Sequence, residues 1–217
     1  AAMACRFRKD GSRGLFLSEH RRCYDEIIDY CNKLVYQGKL KPCRGSIRHD
    51  DKNTLKSEFP AMGHFPIEVE SSEKRGSSRF NKEEAQQIVQ WIATHADKIQ
   101  STYPKEGGIE NLIGVITPFK AQAAVIKKAL PKHLKKIRVG TIHTFQGAEC
   151  RIIIISTVYG GEDGCFFIEN NKSLMNVAVS RAKDFFFVFG NRKCLLHTES
   201  STTGLLRQMT EESIAGK

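Results

Sequence analysis

The chain has 217 residues, with 34 Lys plus Arg against 24 Asp plus Glu for a formal charge of +10, and 40% of its residues are hydrophobic. That is enough apolar material for a packed core, which excludes pervasive disorder, and no apolar run approaches the ~20 residues that cross a bilayer. The positive balance points to a polyanionic partner, usually nucleic acid, and Arg6, Arg8 and Lys9 with no apolar run behind them do not read as a secretory leader.

Residues 15–17 form a short apolar run. Over residues 24–35, Ile27, Ile28, Cys31, Leu34 and Val35 fall on one helical face, and Gly38 stops the helix. Residues 38–80, broken by Pro42, Gly45, Pro60, Gly63 and Pro66, read as a long loop or irregular insertion. Within it, 67–69 is the candidate strand and 71–78 a loop. Asn81 supplies a helix N-cap and Glu84, three residues on, completes a capping box. Ala85, Ile88, Val89, Ile92, Ala96 and Ile99 then keep helical spacing. Strands are expected at 113–117, 137–142, 152–158 and 185–189, with helices at 119–130 and 174–182.

Strands that are apolar on both faces, separated by amphipathic helices, predict an α/β fold: a mostly parallel sheet with helices on both faces. One domain over residues 1–217, with a core at about 15–195, accounts for the pattern. The seven cysteines (Cys5, Cys23, Cys31, Cys43, Cys150, Cys165 and Cys194) are odd in number and show neither CxxC spacing nor a nearby His at zinc-ligand spacing. They read as reduced thiols of a cytosolic protein rather than a disulfide frame or a metal site, with Cys23 and Cys31 as small buried hydrophobes on the first helix.

In such sheets ligands sit at the carboxyl ends of the strands, so the polar residues next to the expected strands carry the functional reading. They are Thr117-Pro118, the run His143-Thr-Phe-Gln-Gly-Ala-Glu149, the run Asn176–Lys183, and Leu17-Ser-Glu-His-Arg-Arg-Cys23. Taken together these resemble the second RecA-like domain of superfamily 1 helicases, in the branch of the nonsense-mediated-decay helicase and RecD-like proteins. Val139-Gly-Thr-Ile-His-Thr-Phe-Gln-Gly-Ala-Glu149 looks like motif V, Asn176-Val-Ala-Val-Ser-Arg-Ala-Lys183 like motif VI, and Ile116-Thr-Pro-Phe-Lys-Ala-Gln122 like motif IV. The stretch 17–23 is similar to the motif that opens this domain.

The resemblance implies residue roles. Arg181 and Arg22 match the two arginines that reach ATP; such a finger contributes ~10³–10⁵ in rate, and a planar guanidinium suits phosphate oxygens. Gly147, Glu149, Gln146 and Arg21 belong with the nucleotide, Glu149 as acceptor for a ribose hydroxyl and Arg21 where the family commonly stacks an aromatic residue on the base. Thr117, Pro118, Thr141 and His143 match positions that line the single-strand track, holding phosphates without reading sequence. Lys120, Lys127, Lys128, Lys132, Lys135, Lys136 and Arg138, with no acid among them, form either an electrostatic groove for nucleic acid or a solvated helix face.

No GxxxxGK[ST] loop and no acidic magnesium strand is present. The chain is therefore expected to be half of a motor, inactive alone as an ATPase. ATP and Mg²⁺ would be held mainly by a missing N-terminal RecA-like domain of the same protein, and single-stranded DNA or RNA is the expected partner, with no membrane. The expected location is the cytoplasm, or the nucleoid or nucleus if the substrate is DNA. The competing reading is a helicase-derived module that binds nucleic acid or protein without motor activity. A nuclease reading has only Asp50-Asp51-Lys52 in its favour.

Overall fold

Runs that are apolar at every position need cover on both faces, and this chain buries three of them side by side in one sheet. The computed structural model describes residues 17–145 and 147–215. In chain order the main elements are α1 (Asp25–Cys31), β1 (Met62–Pro66), α2 (Lys82–Thr102), β2 (Ile113–Ile116), α3 (Lys120–Ala129), β3 (Arg138–Gly140), β4 (Cys150–Ser156), α4 (Lys172–Val179), β5 (Ala182–Gly190) and α5 (Thr202–Ala215). The strands pair in the order β1-β5-β4-β2-β3, every pair parallel. Helix α2 packs on α3 and reaches β4 and β5 from one face, while α1, α4 and α5 form the other layer.

Alternation along β5 divides its phenylalanines between the two layers. Phe187 meets Phe59, Phe65 and Trp91 at ring-centroid distances of 5.5, 5.3 and 5.3 Å, and Phe65 stacks on Phe189 at 4.6 Å. These tilted and edge-on contacts suit the ring quadrupoles and fill the space beneath α2. The connection from β3 to β4 passes across β2, and Phe145 is buried there against Gly114. A Cβ on Gly114 would lie 2.5 Å from the Phe145 ring, so only glycine lets this crossover close on the sheet.

The expected elements at 113–117, 119–130, 137–142, 152–158, 174–182 and 185–189 are all present, with shifted ends. The stretch 38–80 differs from its reading. It is no detached insertion, because β1 joins the sheet edge along Met62–Pro66, five residues before the expected strand at 67–69. The strand forms where Met62 and His64 can be buried against β5, and Ile67 only continues it through one bond, Ile67 N–H to Gly190 O. The expected loop at 71–78 is a hairpin, Glu73–Arg75 against Ser78–Phe80, turned by Gly76 at φ +60. Lys41–Pro42 pairs with Glu19–His20. Helix α1 is continued by a π-helical turn, Asn32–Tyr36, and Cys23 lies just before it rather than on it. Of the 15–17 run, only Leu17 is among the described residues, and it is exposed.

The capping box at α2 is only half formed. Asn81 Oδ1 accepts from Glu84 N–H (3.0 Å), but the return bond from the Glu84 carboxylate is missing. Gln122 Oε1 takes the Asn81 N–H instead (2.8 Å), and Glu84 turns into the core. There it accepts from the Ser156 hydroxyl and from Val158 N–H (3.0 and 3.1 Å). Val158 has φ +76, a strained value for a β-branched residue, so its amide at the end of β4 needs this buried acceptor. Complete burial pushes the Glu84 carboxyl up to about 8 from an ordinary 4.5. The folded chain therefore keeps a proton that the unfolded chain has released, and stability should fall as pH rises from 4.5 to about 8 and level off above it. Urea midpoints across that window should show this slope, and Glu84→Gln should flatten it.

Candidate nucleotide and nucleic-acid faces

The candidate residues do not gather at one strand end. Arg22, Glu149 and Arg181 stand at the amino ends of β4 and β5, whereas Thr117, Pro118, Thr141 and His143 stand at the carboxyl ends of β2 and β3. The expectation that the polar candidate residues follow the strands holds for the second group and not for the first. The physical reason is the topology: Glu149 immediately precedes β4, and Arg181 immediately precedes β5 at the end of α4. Parallel strands put these two residues on the same edge.

Arg22 sits in the turn between Glu19–His20 and α1. Its Nε lies 2.7 Å from Glu149 Oε1, and its Nη1 reaches Ser180 O at 3.4 Å. Lys183 Nζ is 3.7 Å from Glu149 Oε2. Arg181 is half-buried, with its Nε enclosed and without a hydrogen-bond partner among the described residues, and its carbonyl accepts from Cys150 N–H (3.1 Å). Two cations, Arg22 and Lys183, thus flank the Glu149 carboxylate, and Arg181 stands at the same edge with an unused N–H, an arrangement that leaves net positive charge for an anion. Gly147 is exposed at φ +76 with open space where a Cβ would be, so its conformation, not crowding, calls for glycine there. Arg21 is exposed and paired with Glu19 at 2.8 Å. Gln146 lies outside the described residues.

A residue that sequence reasoning passed over anchors this edge. The Arg44 guanidinium donates to Arg22 O at 2.8 Å, to Lys183 O and to Asp184 Oδ1, and lies over the Tyr24 ring at 3.8 Å. Asp184 is buried and also receives Tyr103 Oη–H at 2.8 Å and Arg151 Nη1 at 3.4 Å. A bulge makes this possible. Cys150 to Ile152 on β4 spans two steps while Ala182 to Phe185 on β5 spans three, which lets the consecutive Asp184 and Phe185 both face α2. The sequence signal was an acid directly ahead of an apolar run, because a carboxylate buried there needs cationic partners.

At the carboxyl edge the positions differ in access. His143 is exposed and Pro118 and Thr141 are half-buried, but Thr117 is fully buried. Its hydroxyl accepts from Phe119 N–H (3.4 Å) and its amide donates to Gly140 O (3.0 Å), so Thr117 shapes the turn and offers no side-chain contact to a phosphate. The seven basic residues of 120–138 are exposed, yet all but Lys120 lie away from this edge. Lys120 starts α3 at the carboxyl edge, whereas Lys127 to Arg138 surround the amino end of β3. Lys135 Nζ is used to cap the Lys127 and Lys128 carbonyls at 2.6 and 3.0 Å. Among the described residues no cluster of three His, Cys, Asp or Glu side chains could hold a metal ion, and no helix is long and apolar enough to cross a membrane.

A family model described as an AAA domain matches residues 2–193 of the chain. The chain belongs to the superfamily 1 helicases. Within that superfamily its relatives fall in the branch of the nonsense-mediated-decay helicase. A putative helicase mov-10-B.1 of Danio rerio is 29% identical over 81% of this chain and 19% of its own length. The RNA helicase Mov10l1 of Homo sapiens is 31% identical over 83% of the chain and 15% of its own. The ATP-dependent helicase upf1 of Schizosaccharomyces pombe is 29% identical over 80% and 19%. The chain spans less than a fifth of the length of each of these relatives. In this helicase domain the Arg44–Asp184 pair holds the Arg22 turn on the sheet. Arg44→Ala should leave Asp184 short of a partner and cost about 2–4 kcal/mol, read as a lower urea midpoint at unchanged slope.

Proposed function

We propose that this chain is the second motor domain of an ATP-dependent DNA or RNA helicase or translocase, with its nucleotide face at the amino ends of β4 and β5. The observation that carries the reading is the pairing there of Arg22 and Lys183 with the Glu149 carboxylate, at the edge where Arg181 keeps an unpartnered Nε–H. ATP would lie between this edge and an N-terminal RecA-like domain of the same protein. Arg22 and Arg181 would approach the transferring phosphate, where developing negative charge makes a fixed guanidinium most effective. Phosphate oxygens arriving at Arg22 would take the place of the Glu149 carboxylate. Released, Glu149 would accept from a ribose hydroxyl, with Gly147 two positions before it in the chain and Arg21 next to Arg22.

The residues present fit a triphosphate: exposed and half-buried cations outnumber acids, and Arg181 has an unused N–H. They do not fit the magnesium ion. No cluster of three His, Cys, Asp or Glu side chains is found among the described residues, and in this reading Mg²⁺ and the phosphate-cradling loop would belong to the other domain. Single-stranded nucleic acid would run along the carboxyl edge past Pro118, Thr141 and His143. Closing and opening of the two domains on ATP would move that edge relative to the other half of the track.

The test is ATP turnover by a longer protein that carries both domains, with and without single-stranded DNA or RNA. Nucleic-acid-stimulated hydrolysis should fall on the order of 10³-fold in Arg181→Ala, and the 217-residue chain alone should hydrolyse no ATP. Arg181-dependent hydrolysis by the chain alone would refute the half-motor reading. Undiminished turnover in Arg181→Ala would remove the arginine from the chemistry, and absence of turnover in a two-domain protein would favour a binding module.

A further inference from the structure

Of the cysteines described, Cys23 sets its sulfur against His20 and the Ser180 carbonyl, Cys31 against the Asn176 carbonyl, and Cys43 against the Lys41 carbonyl. Cys165 and Cys194 are different. Their sulfurs face one another at 2.7 Å, both side chains are buried, and the two residues lie 29 positions apart in the chain. Each is also held from behind. Cys165 begins the helical turn Phe166–Glu169, and its carbonyl accepts from Glu169 N–H (2.9 Å). Cys194 closes the turn Arg192–Cys194, and its sulfur lies 2.9 Å from Asn191 O. Asn191 in turn is tied to Lys193 N–H (2.9 Å) and donates to Val69 O (2.7 Å).

We propose that Cys165 and Cys194 form a dithiol site that a peroxide converts to an intramolecular disulfide, joining the segment that leaves β4 to the turn that leaves β5. The sulfur of one cysteine attacks a peroxide oxygen, the O–O bond breaks, and a sulfenic acid forms while the displaced oxygen leaves as water with the thiol proton. The second sulfur then displaces that hydroxyl: the S–S bond forms, the S–O bond breaks, and a second water carries away the second proton. Two thiols and one hydrogen peroxide become one disulfide and two waters. The partly exposed turn 161–164, with Gly164 at φ +65, leads directly into Cys165 and is the segment that would have to open to admit the oxidant. The neighbouring Cys194 sulfur and then burial push the Cys165 thiol up, so the reaction is slow compared with an exposed thiolate.

The link has a structural consequence at the carboxyl edge. The segment it tethers carries the strained Val158 and then Tyr159, whose hydroxyl accepts from Phe167 N–H at 3.2 Å and whose ring meets Phe119 at 5.5 Å. Phe119 follows Pro118 directly, so the cross-link stiffens one wall of that edge. This inference does not depend on the motor reading.

The experiment treats the 217-residue chain with hydrogen peroxide, alkylates the remaining thiols under denaturing conditions and maps the peptides by mass spectrometry. A Cys165–Cys194 linked peptide is expected, with two fewer alkylated thiols and a Tm raised by roughly 10 °C, all reversed by dithiothreitol. Cys165→Ser and Cys194→Ser, each checked for native circular dichroism, should abolish the linked peptide and the Tm rise. Alkylation of both residues at the level of Cys31, or recovery of either in a different disulfide or as a sulfinic acid, would overturn the proposal. So would a linked peptide that forms without any change in Tm.

Discussion

A carboxylate buried beside an apolar strand is tolerable only when cations and donors surround it, and that requirement of Asp184 organises the amino edge of this domain. It draws in Arg44 from the segment after α1, Arg151 from β4 and Tyr103 from the end of α2. Arg44 spends its other donors on the carbonyls of Arg22 and Lys183, so the same guanidinium that neutralises Asp184 sets the height of the Arg22 turn. An interaction made for burial thereby locates a side chain proposed for phosphate. The bulge at the start of β5 is the geometric condition for it, because a regular strand would turn Asp184 to the opposite face from Phe185.

The carboxyl edge is organised by a second buried acid. Glu84 holds the amide of Val158 in a left-handed conformation that the residue alone would not adopt, and the chain is thereby directed into Tyr159 and the turn carrying Cys165. The two edges are separated by the length of β4, seven residues or about 20 Å at strand rise. A stiff parallel sheet covered by two helical layers ties them into one body. Such a body suits a domain proposed to meet nucleotide at one end and a nucleic-acid strand at the other.

The elements that were legible were those whose signal is local. Ile152–Ile155 and Phe185–Phe189 could only be buried strands, and the spacing of Ile88, Ile92 and Ile99 could only be one face of a helix. What failed was decided at a distance. β1 lies along Met62–Pro66 because β5 offers it a partner there, and the more apolar stretch at 67–69 lost to that pairing. Glu84 has the spacing of a capping residue, but the amide of Val158, far along the chain, competes for its carboxylate. The motif marks Thr117 as a phosphate contact, whereas its side chain is buried and its hydroxyl accepts from the turn that launches α3.

By itself the sequence determined the α/β class, the alternation of strands and helices, and the motif residues that mark the chain as a superfamily 1 helicase domain, since each of these is written in contiguous residues with a fixed period or spacing. Only the tertiary structure decided that Arg22, Glu149, Lys183 and Arg181 share one edge while His143 and Pro118 share the other. It also decided that Arg44 and Asp184 hold the first group in place, and that Cys165 meets Cys194. Those relations depend on strand order, crossover direction and a one-residue bulge, which arise from pairing between distant segments and leave no periodic trace in the chain.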